Sequence, residues 1–496
     1  MNDEESLKTA DIYTEDKKYN DESTEYMNID EDATNEHLIQ KQDLNLEESR
    51  YSKLYRQVAS LVFMTSVDLV SFNAIQSFLP LFLLEKFPNS TPAEIGRNSG
   101  LIIGIFFVAR CISTMIFGAL SDHFGRKYFI VFSLCVACIC TVVFPFMNSV
   151  WLLVLLRAAQ GFLSSTIELC KASLVDVTTN EWLPSSIRSV LFSYIVAVTT
   201  AIRATATGLG GIIVGVMLTD GSGISKQDSF IITCSIAGGV VFLGMLVAIF
   251  MDETKKKHVS VEQHQEEELQ QQENVMESLK SILYDRVNFT LIFMFFMGSL
   301  SNAASNMVWV LITQEKIKYG GLGMSPLLTG VIFLLYGLMC FLVQSTTFKP
   351  VLERIGLLAT YKIGSIFQIG QCCMLAVIIY SNGLLVNSDA RLPVVWVLIV
   401  AFTGMVGVGF TGASIAQTMI VNVTHHSRAK GMVQGVNGCA DTLGRAVGPI
   451  MFGFIYGMFV KMSHMSTIPV VCCLVVTYGI GLILSMTLKS EVVDNK

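Results

Sequence analysis

The sequence has little charge for its length. Only 15% of its 496 residues are Asp, Glu, Lys or Arg, whereas 52% are hydrophobic. Soluble globular domains usually contain about 25% charged residues, so this balance argues against a set of soluble domains. The apolar residues are gathered in runs of about 20, each long enough to cross the ~30 Å hydrocarbon core of a membrane as a helix. The composition therefore predicts an all-α, polytopic membrane protein.

We count twelve such runs. They lie at roughly 55–84, 98–119, 128–147, 150–175, 187–218, 229–251, 287–313, 326–347, 360–381, 393–420, 431–460 and 467–488. Each should be a transmembrane helix, because a strand exposed to lipid would leave backbone groups without hydrogen-bond partners. A charged stretch at 252–286 divides the runs six and six. This predicts two six-helix halves, 55–251 and 287–488, joined by a cytoplasmic linker.

The two ends of the chain lack apolar runs. Residues 1–54 are acidic and poor in aromatic and aliphatic side chains, so we expect a disordered cytoplasmic tail without a cleavable signal peptide. Residues 489–496 form a second short cytoplasmic tail. Lys and Arg are concentrated in the loops after even-numbered runs, which predicts that both termini face the cytoplasm. A vacuolar or endolysosomal membrane and the plasma membrane fit this pattern equally well.

The polar segment between the second and third runs carries the most specific pattern. It reads Gly118-Ala-Leu-Ser-Asp-His-Phe-Gly-Arg-Lys127 and resembles the G-x-L-S-D-R-x-G-R-K loop of the major facilitator superfamily, with His123 in place of an arginine. Segments 93–96, 319–326 and 445–449 are similar to its zinc-induced-facilitator-like branch with fungal and protist members, near the drug:proton antiporters. The resemblance covers about residues 55–490 and implies two six-helix repeats that carry out secondary transport.

Internal repetition agrees with two halves. The same residue types recur at the same spacing in the fifth and eleventh runs, and again in the first and seventh. The repeated residues are Arg203 and Gly211, Arg445 and Gly453, Ser66 and Asn73, and Ser299 and Asn306. These runs occupy equivalent positions in a six-plus-six fold.

The resemblance also implies a conformational latch at the cytoplasmic face. Asp122 would cap the start of the eleventh span, where the helix dipole stabilises a carboxylate by about 0.3–1 kcal/mol. Arg126 would pair with an acid near the end of the fourth span, either Glu168 or Asp176. The full latch set is Gly118, Asp122, Gly125, Arg126, Glu168 and Asp176. The alternative is a solvated turn that obeys the positive-inside rule.

Six ionisable residues inside the apolar runs are candidates for transport or coupling. They are Asp68, Arg110, Arg157, Arg203, Asp441 and Arg445. Each costs about 2.5–3.5 kcal/mol at the membrane centre on insertion scales, so each should face a cavity or a partner. Asp68 belongs to a run that lines the central cavity in the fold that the resemblance implies. It could take up and release a proton, or it could form a fixed ion pair with an arginine.

Two pairs of residues have alternative roles. Arg157 and Gln160 resemble the R-x-x-Q-G pattern of the fourth span, which implies proton coupling or anion binding, against a purely structural anchor. Asp441 and Arg445 stand four residues apart on one helix face and could neutralise each other. We hypothesise that Asp441 also reaches Arg110 and forms a gate between the halves.

The fifth run lacks a feature of the antiporters, whose pattern there is G-x-x-x-G-P-x-x-G-G. Here Gly210 and Gly211 have no neighbouring proline, and Gly448-Pro449 occurs only in the eleventh run. The glycines should allow close helix approach, and Pro449 should bend its helix. The pattern therefore supports transport more firmly than antiport.

Other chemistries have little support. No G-x-x-x-x-G-K-[ST] loop is present, which argues against ATP-driven transport. His258, His264, His425 and His426 are too few for the histidine-dense loops of zinc transport. Nothing resembles the paired carboxylates or the Ser/His set of an enzyme, and we expect no cofactor, no metal site and no nucleic-acid partner.

These patterns together predict a secondary transporter that moves a small solute or ion by alternating access, with protons as the coupling ion and the lipid bilayer as its surroundings. The alternative is a non-transporting membrane receptor or scaffold with the same fold, which would use its tail and linker for docking.

Overall fold

The computed structural model describes residues 51–178, 185–219, 223–251, 284–346, 348–388, 391–423, 427–460 and 466–489. The chain divides into two units, Met1–Ala59 and Ser60–Lys496, and every contact given below lies within the second. Residues 1–50 of the predicted tail at 1–54 and most of the predicted linker at 252–286 lie outside the described residues, whereas residues 51–54 already belong to the first described helix.

The described elements are helical. In chain order the helices are α1 (Tyr51–Gln76), α2 (Leu79–Lys86), α3 (Pro92–Phe124), α4 (Arg126–Val143), α5 (Val150–Leu163), α6 (Thr166–Thr178), α7 (Ser185–Met217), α8 (Lys226–Phe250), α9 (Arg286–Gln314), α10 (Pro326–Thr346), α11 (Phe348–Ile355), α12 (Leu357–Leu384), α13 (Arg391–Val423), α14 (Ser427–Phe459) and α15 (Ile468–Met486). Short 3₁₀ turns follow α4 and α9, at Phe144–Phe146 and Ile317–Tyr319.

Each of the twelve apolar runs coincides with one of these helices or with a consecutive pair. Within the described ranges, nine helical segments are long and apolar enough to cross a membrane, and one of them, Val150–Lys171, includes α5 and the first part of α6. Shorter apolar stretches lie at Ala201–Met217 in α7 and Arg391–Met405 in α13. The remaining run forms α14, which carries both Asp441 and Arg445. The predicted all-α polytopic architecture is therefore confirmed.

Two runs are broken in a way that the sequence reading did not anticipate. The first run divides into α1 and α2, and the fourth divides into α5 and α6 at Ser164 and Ser165. Ser164 has an extended backbone, with φ −109° and ψ 93°. Interrupted helices leave backbone groups free to bind ligands or side chains in the interior of a membrane protein.

The signature segment at 118–127 is mostly helix, whereas the sequence reading took it for a loop of several residues. α3 continues to Phe124 and α4 begins at Arg126, so Gly125 alone forms the turn. Its φ of 95° lies in the region that glycine adopts without steric cost. The amide of Gly125 still donates to the carbonyl of Ser121 at 3.0 Å, which explains how the helix extends to the turn.

Two pairs of helices, α7 with α10 and α3 with α14, approach each other closely through glycines. A Cβ atom added to Gly211 would lie 2.9 Å from the Pro326 oxygen and 3.0 Å from Gly330 Cα. At Gly453 the corresponding distances would be 2.8 Å to the Gly96 oxygen and 3.1 Å to Gly100 Cα. The repeated residues Gly211 and Gly453 thus make equivalent contacts, as two structural repeats predict. We call these two helix contacts the glycine seams.

The other glycines predicted to pack helices also lie at close contacts. A Cβ atom on Gly210 would overlap the Ala74 carbonyl of α1, and one on Gly448 would overlap the Leu300 carbonyl of α9. Pro449 lies inside α14, and its carbonyl oxygen faces Gly100 of α3. The bend predicted at Pro449 stays a prediction.

The outer faces of several helices expose large apolar side chains. Trp151 is 75% exposed and Phe250 is 85% exposed. Patches of this kind are costly in water and are expected where a helix faces lipid. The interior is closely packed with aromatic rings, including Phe72 stacked on Phe106 at 4.5 Å between ring centroids.

Candidate functional site

A buried ion pair joins α1 to α3. Nη2 of Arg110 donates to Oδ2 of Asp68 at 3.0 Å, and the two side chains are only 6% and 2% exposed. The other carboxylate oxygen, Oδ1, accepts a hydrogen bond from the Ser164 hydroxyl at 3.0 Å. Both oxygens of Asp68 therefore have a donor, which is the condition for burying a charge at tolerable cost.

The break between α5 and α6 supplies the serine of this arrangement. The amide of Ser165 donates to Oγ of Ser133 at 3.2 Å, and the hydroxyls of Ser165 and Ser113 lie 3.1 Å apart. Side-chain oxygens thus replace part of the lost helical hydrogen bonding and fix Ser164 beside Asp68. Ser164 was not among the predicted site residues, although three consecutive hydroxyl residues at 164–166 within an apolar run are a local signal of the break.

A second polar cluster reaches the same part of α1. Nη1 of Arg157 donates to Oε1 of Gln160 at 2.8 Å, and Nε2 of Gln160 donates to the Ser71 hydroxyl at 3.5 Å. Ser71 in turn donates to the backbone oxygen of Asp68 at 2.7 Å. The predicted pair of Arg157 and Gln160 is therefore linked to Asp68 through one serine.

Arg157 is buried between aromatic rings. Its guanidinium carbon lies 5.2 Å from the centroid of Phe72 and 4.8 Å from that of Phe144, distances typical of cation–π contacts. Its Nε atom is buried with no hydrogen-bond partner in the described part of the chain. The arrangement holds a positive charge close to α1 without a carboxylate beside it in those residues.

Asp441 pairs with its neighbour on α14. Nε of Arg445 donates to Oδ1 of Asp441 at 2.9 Å, and Ser299 of α9 donates to the same oxygen. The predicted neutralisation within one helix face is thus present. The hypothesised gate between Asp441 and Arg110 is not formed here, because Arg110 is bonded to Asp68 and the carboxylate of Asp441 is held by Arg445 and Ser299.

Arg203 lies beside a small cavity that α1, α7, α9 and α10 line together. The polar lining residues are Asn73, Gln76, Arg203, Thr207, Asn306 and Tyr336. Asn73 and Asn306, which repeat between the first and seventh runs, therefore line the same cavity. Within the described ranges, the Arg203 side chain has no salt bridge and no hydrogen bond, while the charges of Arg445, Asp441 and Arg110 act on it through space.

The latch residues are placed only in part. Glu168 lies on α6 and binds Lys171 three residues along, with Nζ–Oε distances of 3.1 and 3.3 Å. The side chains of Asp122 and Asp176 and the surroundings of Gly118 lie outside the described residues, as do His425 and His426. The latch therefore stays a prediction.

A further polar contact, which was not predicted from the sequence, lies beside the α3–α14 seam. Glu315 follows α9 directly and accepts hydrogen bonds from the Tyr456 hydroxyl at 3.3 Å and from the Lys316 amide at 2.9 Å. Burial raises the pKa of the Glu315 carboxyl above its usual value, although these hydrogen bonds oppose the shift. The ring of Tyr456 lies directly over Gly96 of α3.

The described residues include no group of three or more His, Cys, Asp or Glu side chains that could hold a metal ion. All twelve cysteines are free thiols, and most of them are buried or half-buried. The described polar contacts of the site are made by carboxylates, guanidinium groups, amides and hydroxyls.

Comparison with known proteins gives a consistent family. The model of the Major Facilitator Superfamily matches residues 61–449. The chain is 23% identical to the class H tetracycline resistance protein of Pasteurella multocida, over 81% of this chain and 89% of that protein. It is 22% identical to Protein ZINC INDUCED FACILITATOR-LIKE 1 of Arabidopsis thaliana, over 80% of this chain and 83% of that protein. A crystal structure of a mutant of the nucleoside transporter NupG superimposes with a TM-score of 0.63 at 12% identity, covering 87% of this chain and 98% of that chain.

Proposed function

The chain belongs to the Major Facilitator Superfamily and is an integral, multi-pass membrane transporter with that fold; we propose that it moves a small solute by alternating access, coupled to protons through Asp68. The family match confirms the resemblance drawn from the 118–127 segment and makes an enzyme function untenable. The single observation that carries the proposal is the Asp68–Arg110 ion pair, buried inside the helical bundle.

Protonation offers a way to break this pair. A proton on Asp68 would remove the negative charge that holds Arg110, while the neutral carboxyl group could keep its hydrogen bond with Ser164. Removing one partner from a buried ion pair typically costs about 3–5 kcal/mol. Protonation of Asp68 could therefore change the relative energy of two conformations by an amount that matters for transport.

The glycine seams support the conformational part of the proposal. At Gly211 and Gly453 the facing helices meet through backbone atoms, so few side chains must disengage when the two helices separate. We infer that the halves 55–251 and 287–488 rock about these contacts, and that both termini face the cytoplasm. The close contact between α7 and α10 forms at Gly211 without the Gly-Pro pair of the antiporters. The proposal is therefore compatible with symport and with antiport.

The non-transporting alternative explains less. A scaffold would need only its surfaces, whereas this chain keeps the six candidate charges inside apolar runs at a cost of about 2.5–3.5 kcal/mol each. Four of them, Asp68 with Arg110 and Asp441 with Arg445, are held in ion pairs. A cost of this size favours a transport pathway over a docking function.

The test is proton movement in proteoliposomes that contain the purified full chain and a trapped pH-sensitive dye. A panel of sugars, nucleosides, amino acids, organic anions and organic cations would be added to the wild type and to Asp68→Asn. We expect at least one solute to drive proton movement in the wild type and none to do so in the variant.

The matched control is Asp285→Asn. Asp285 is an exposed aspartate that caps the start of α9, and asparagine caps a helix about as well, so proton movement should be unchanged. Solute flux without proton flux in the wild type, or proton flux that survives in Asp68→Asn, would contradict the proposed coupling.

A further inference from the structure

The predicted intramembrane charges do not balance. Of the six residues, four are arginines and two are aspartates. Asp68 is taken by Arg110 and Asp441 by Arg445. Two positive charges are left, on Arg157 and Arg203.

The two arginines differ in their surroundings. Arg157 is 2% exposed, bonded to Gln160 and enclosed by two phenylalanine rings, so no space for a ligand adjoins it among the described residues. Arg203 is only partly buried, has no hydrogen-bond partner for its side chain in the same part of the chain, and borders a cavity. Arg203 is therefore the cation that a ligand could reach.

The chemistry of the cavity suits a negatively charged guest. The cavity around Arg203 is lined by the side-chain amides of Asn73, Gln76 and Asn306 and by Tyr336, and none of the described residues that line it carries a carboxylate. Nδ2 of Asn73 also donates to the Leu69 carbonyl at 2.7 Å and Nδ2 of Asn306 donates to Oδ1 of Asn302 at 3.1 Å, so each of these amides keeps a second N–H for a guest. Asp441, an acid that acts on Arg203 through space, is already bonded to Arg445 and Ser299. A cationic solute would meet an uncompensated positive charge here, whereas an anion would neutralise it.

The position of the cavity fits a transported molecule better than a structural ion. Its walls come from α1 and α7 of the first half and from α9 and α10 of the second. Gly208 and Gly211, which form the α7–α10 seam, lie about one to two helical turns from Arg203 on the same helix. The cavity has room for about one water molecule in this conformation, so a solute can enter only when the seam separates.

We propose that the transported solute is a small organic anion whose carboxylate or similar anionic group binds Arg203, while the amides of Asn73, Gln76 and Asn306 bind its remaining polar groups. This inference rests on the proposed transport function and adds the charge of the substrate to it. Arginine is suited to this role because its planar guanidinium can donate two parallel hydrogen bonds to a carboxylate.

The experiment uses proteoliposomes of the full chain and three fractions of a cellular small-molecule extract: the anions retained by an anion exchanger, the cations retained by a cation exchanger, and the neutral remainder. Solutes that accumulate inside are identified by mass spectrometry against protein-free liposomes. The chains compared are the wild type, Arg203→Gln, Arg203→Lys and the control Arg286→Gln, in which an exposed arginine at the start of α9 is changed.

We expect a solute from the anionic fraction to accumulate with the wild type and with Arg286→Gln. Its accumulation should fall by at least about tenfold in Arg203→Gln, the effect of losing one charge-assisted contact. Arg203→Lys should keep part of the uptake, since it keeps the charge and loses the planar fork.

Accumulation of only a neutral or cationic solute, or equal accumulation of the anion by Arg203→Gln, would overturn the anion proposal while leaving transport intact. Accumulation of nothing from any fraction would contradict the transport function itself and the anion proposal with it. The two failures are therefore distinguishable.

Discussion

The ion pair of Asp68 and Arg110 should be asymmetric in its response to mutation. In Asp68→Asn the arginine stays charged, because a guanidinium does not lose its proton in a protein, and it remains in a site where it was 6% exposed. In Arg110→Gln the carboxyl group of Asp68 can take up a proton and become neutral, with Ser164 still beside it. Loss of the aspartate should therefore destabilise the protein more than loss of the arginine.

The size of the effect follows from the burial of the pair. Breaking a buried ion pair by removing one partner typically costs about 3–5 kcal/mol, whereas replacing both partners by neutral groups is often close to neutral. We expect Asp68→Asn to lower the free energy of unfolding by an amount in this range. Arg110→Gln should cost clearly less, and the double variant Asp68→Asn/Arg110→Gln should recover most of the loss.

The assay is reversible unfolding of the purified chain in mixed detergent micelles, followed by circular dichroism, for the wild type, both single variants and the double variant. The double-mutant cycle gives the coupling energy of the two side chains. A cost below about 0.5 kcal/mol for Asp68→Asn, the usual range of surface substitutions, would refute the reasoning. So would simple additivity of the two single changes.

Three other predictions concern the seams, the broken helix and the contact beyond α9. Gly211→Val and Gly453→Val should each abolish solute uptake in proteoliposomes, because both side chains would overlap the facing helix. The control Gly239→Val should keep uptake, since no atom lies within 4 Å of a Cβ added there. Equal uptake in all three variants would contradict the proposed role of the glycine seams. Ser164→Ala should lower the free energy of unfolding by about 1.5–3 kcal/mol, the usual contribution of a hydrogen bond to a charged group, and an unchanged value in the detergent assay would count against the role of the break. Because the pKa of Glu315 is raised above its usual value of 4.5, the folded state binds more protons than the unfolded state near and above that pH. The free energy of unfolding should therefore fall as the pH rises from 4.5 through the pKa of the folded state. Glu315→Gln should flatten this pH dependence, and an identical pH dependence in the variant would refute the raised pKa of Glu315.

Much of the architecture could be predicted because its cause is local in the sequence. Each apolar run is long enough to span a membrane by itself, and each coincides with one or two described helices. The repeat of Gly211 and Gly453 was also readable, since equal spacing in two runs reflects equal contacts with a facing helix. The ion pair of Asp441 and Arg445 follows from a spacing of four on one helix.

The rest depends on contacts between residues far apart in the chain. Asp68 could be identified as an unusual charge, but its pairing with Arg110 rather than with another arginine depends on how α1 and α3 pack. Ser164 was not predicted because single hydroxyl residues are common in membrane helices, and the run of three at 164–166 is the one local signal of the break. Glu315 lies just outside an apolar run, so only the fold brings it against Tyr456 of α14.

The most direct test of the central claim is solute accumulation driven by a pH difference across the proteoliposome membrane, measured beside downhill movement of the same solute without that difference. The account predicts that the wild type accumulates the solute against its gradient. It predicts that Asp68→Asn loses this accumulation while downhill movement continues. Accumulation that persists in Asp68→Asn would contradict the claim that Asp68 couples protons to transport.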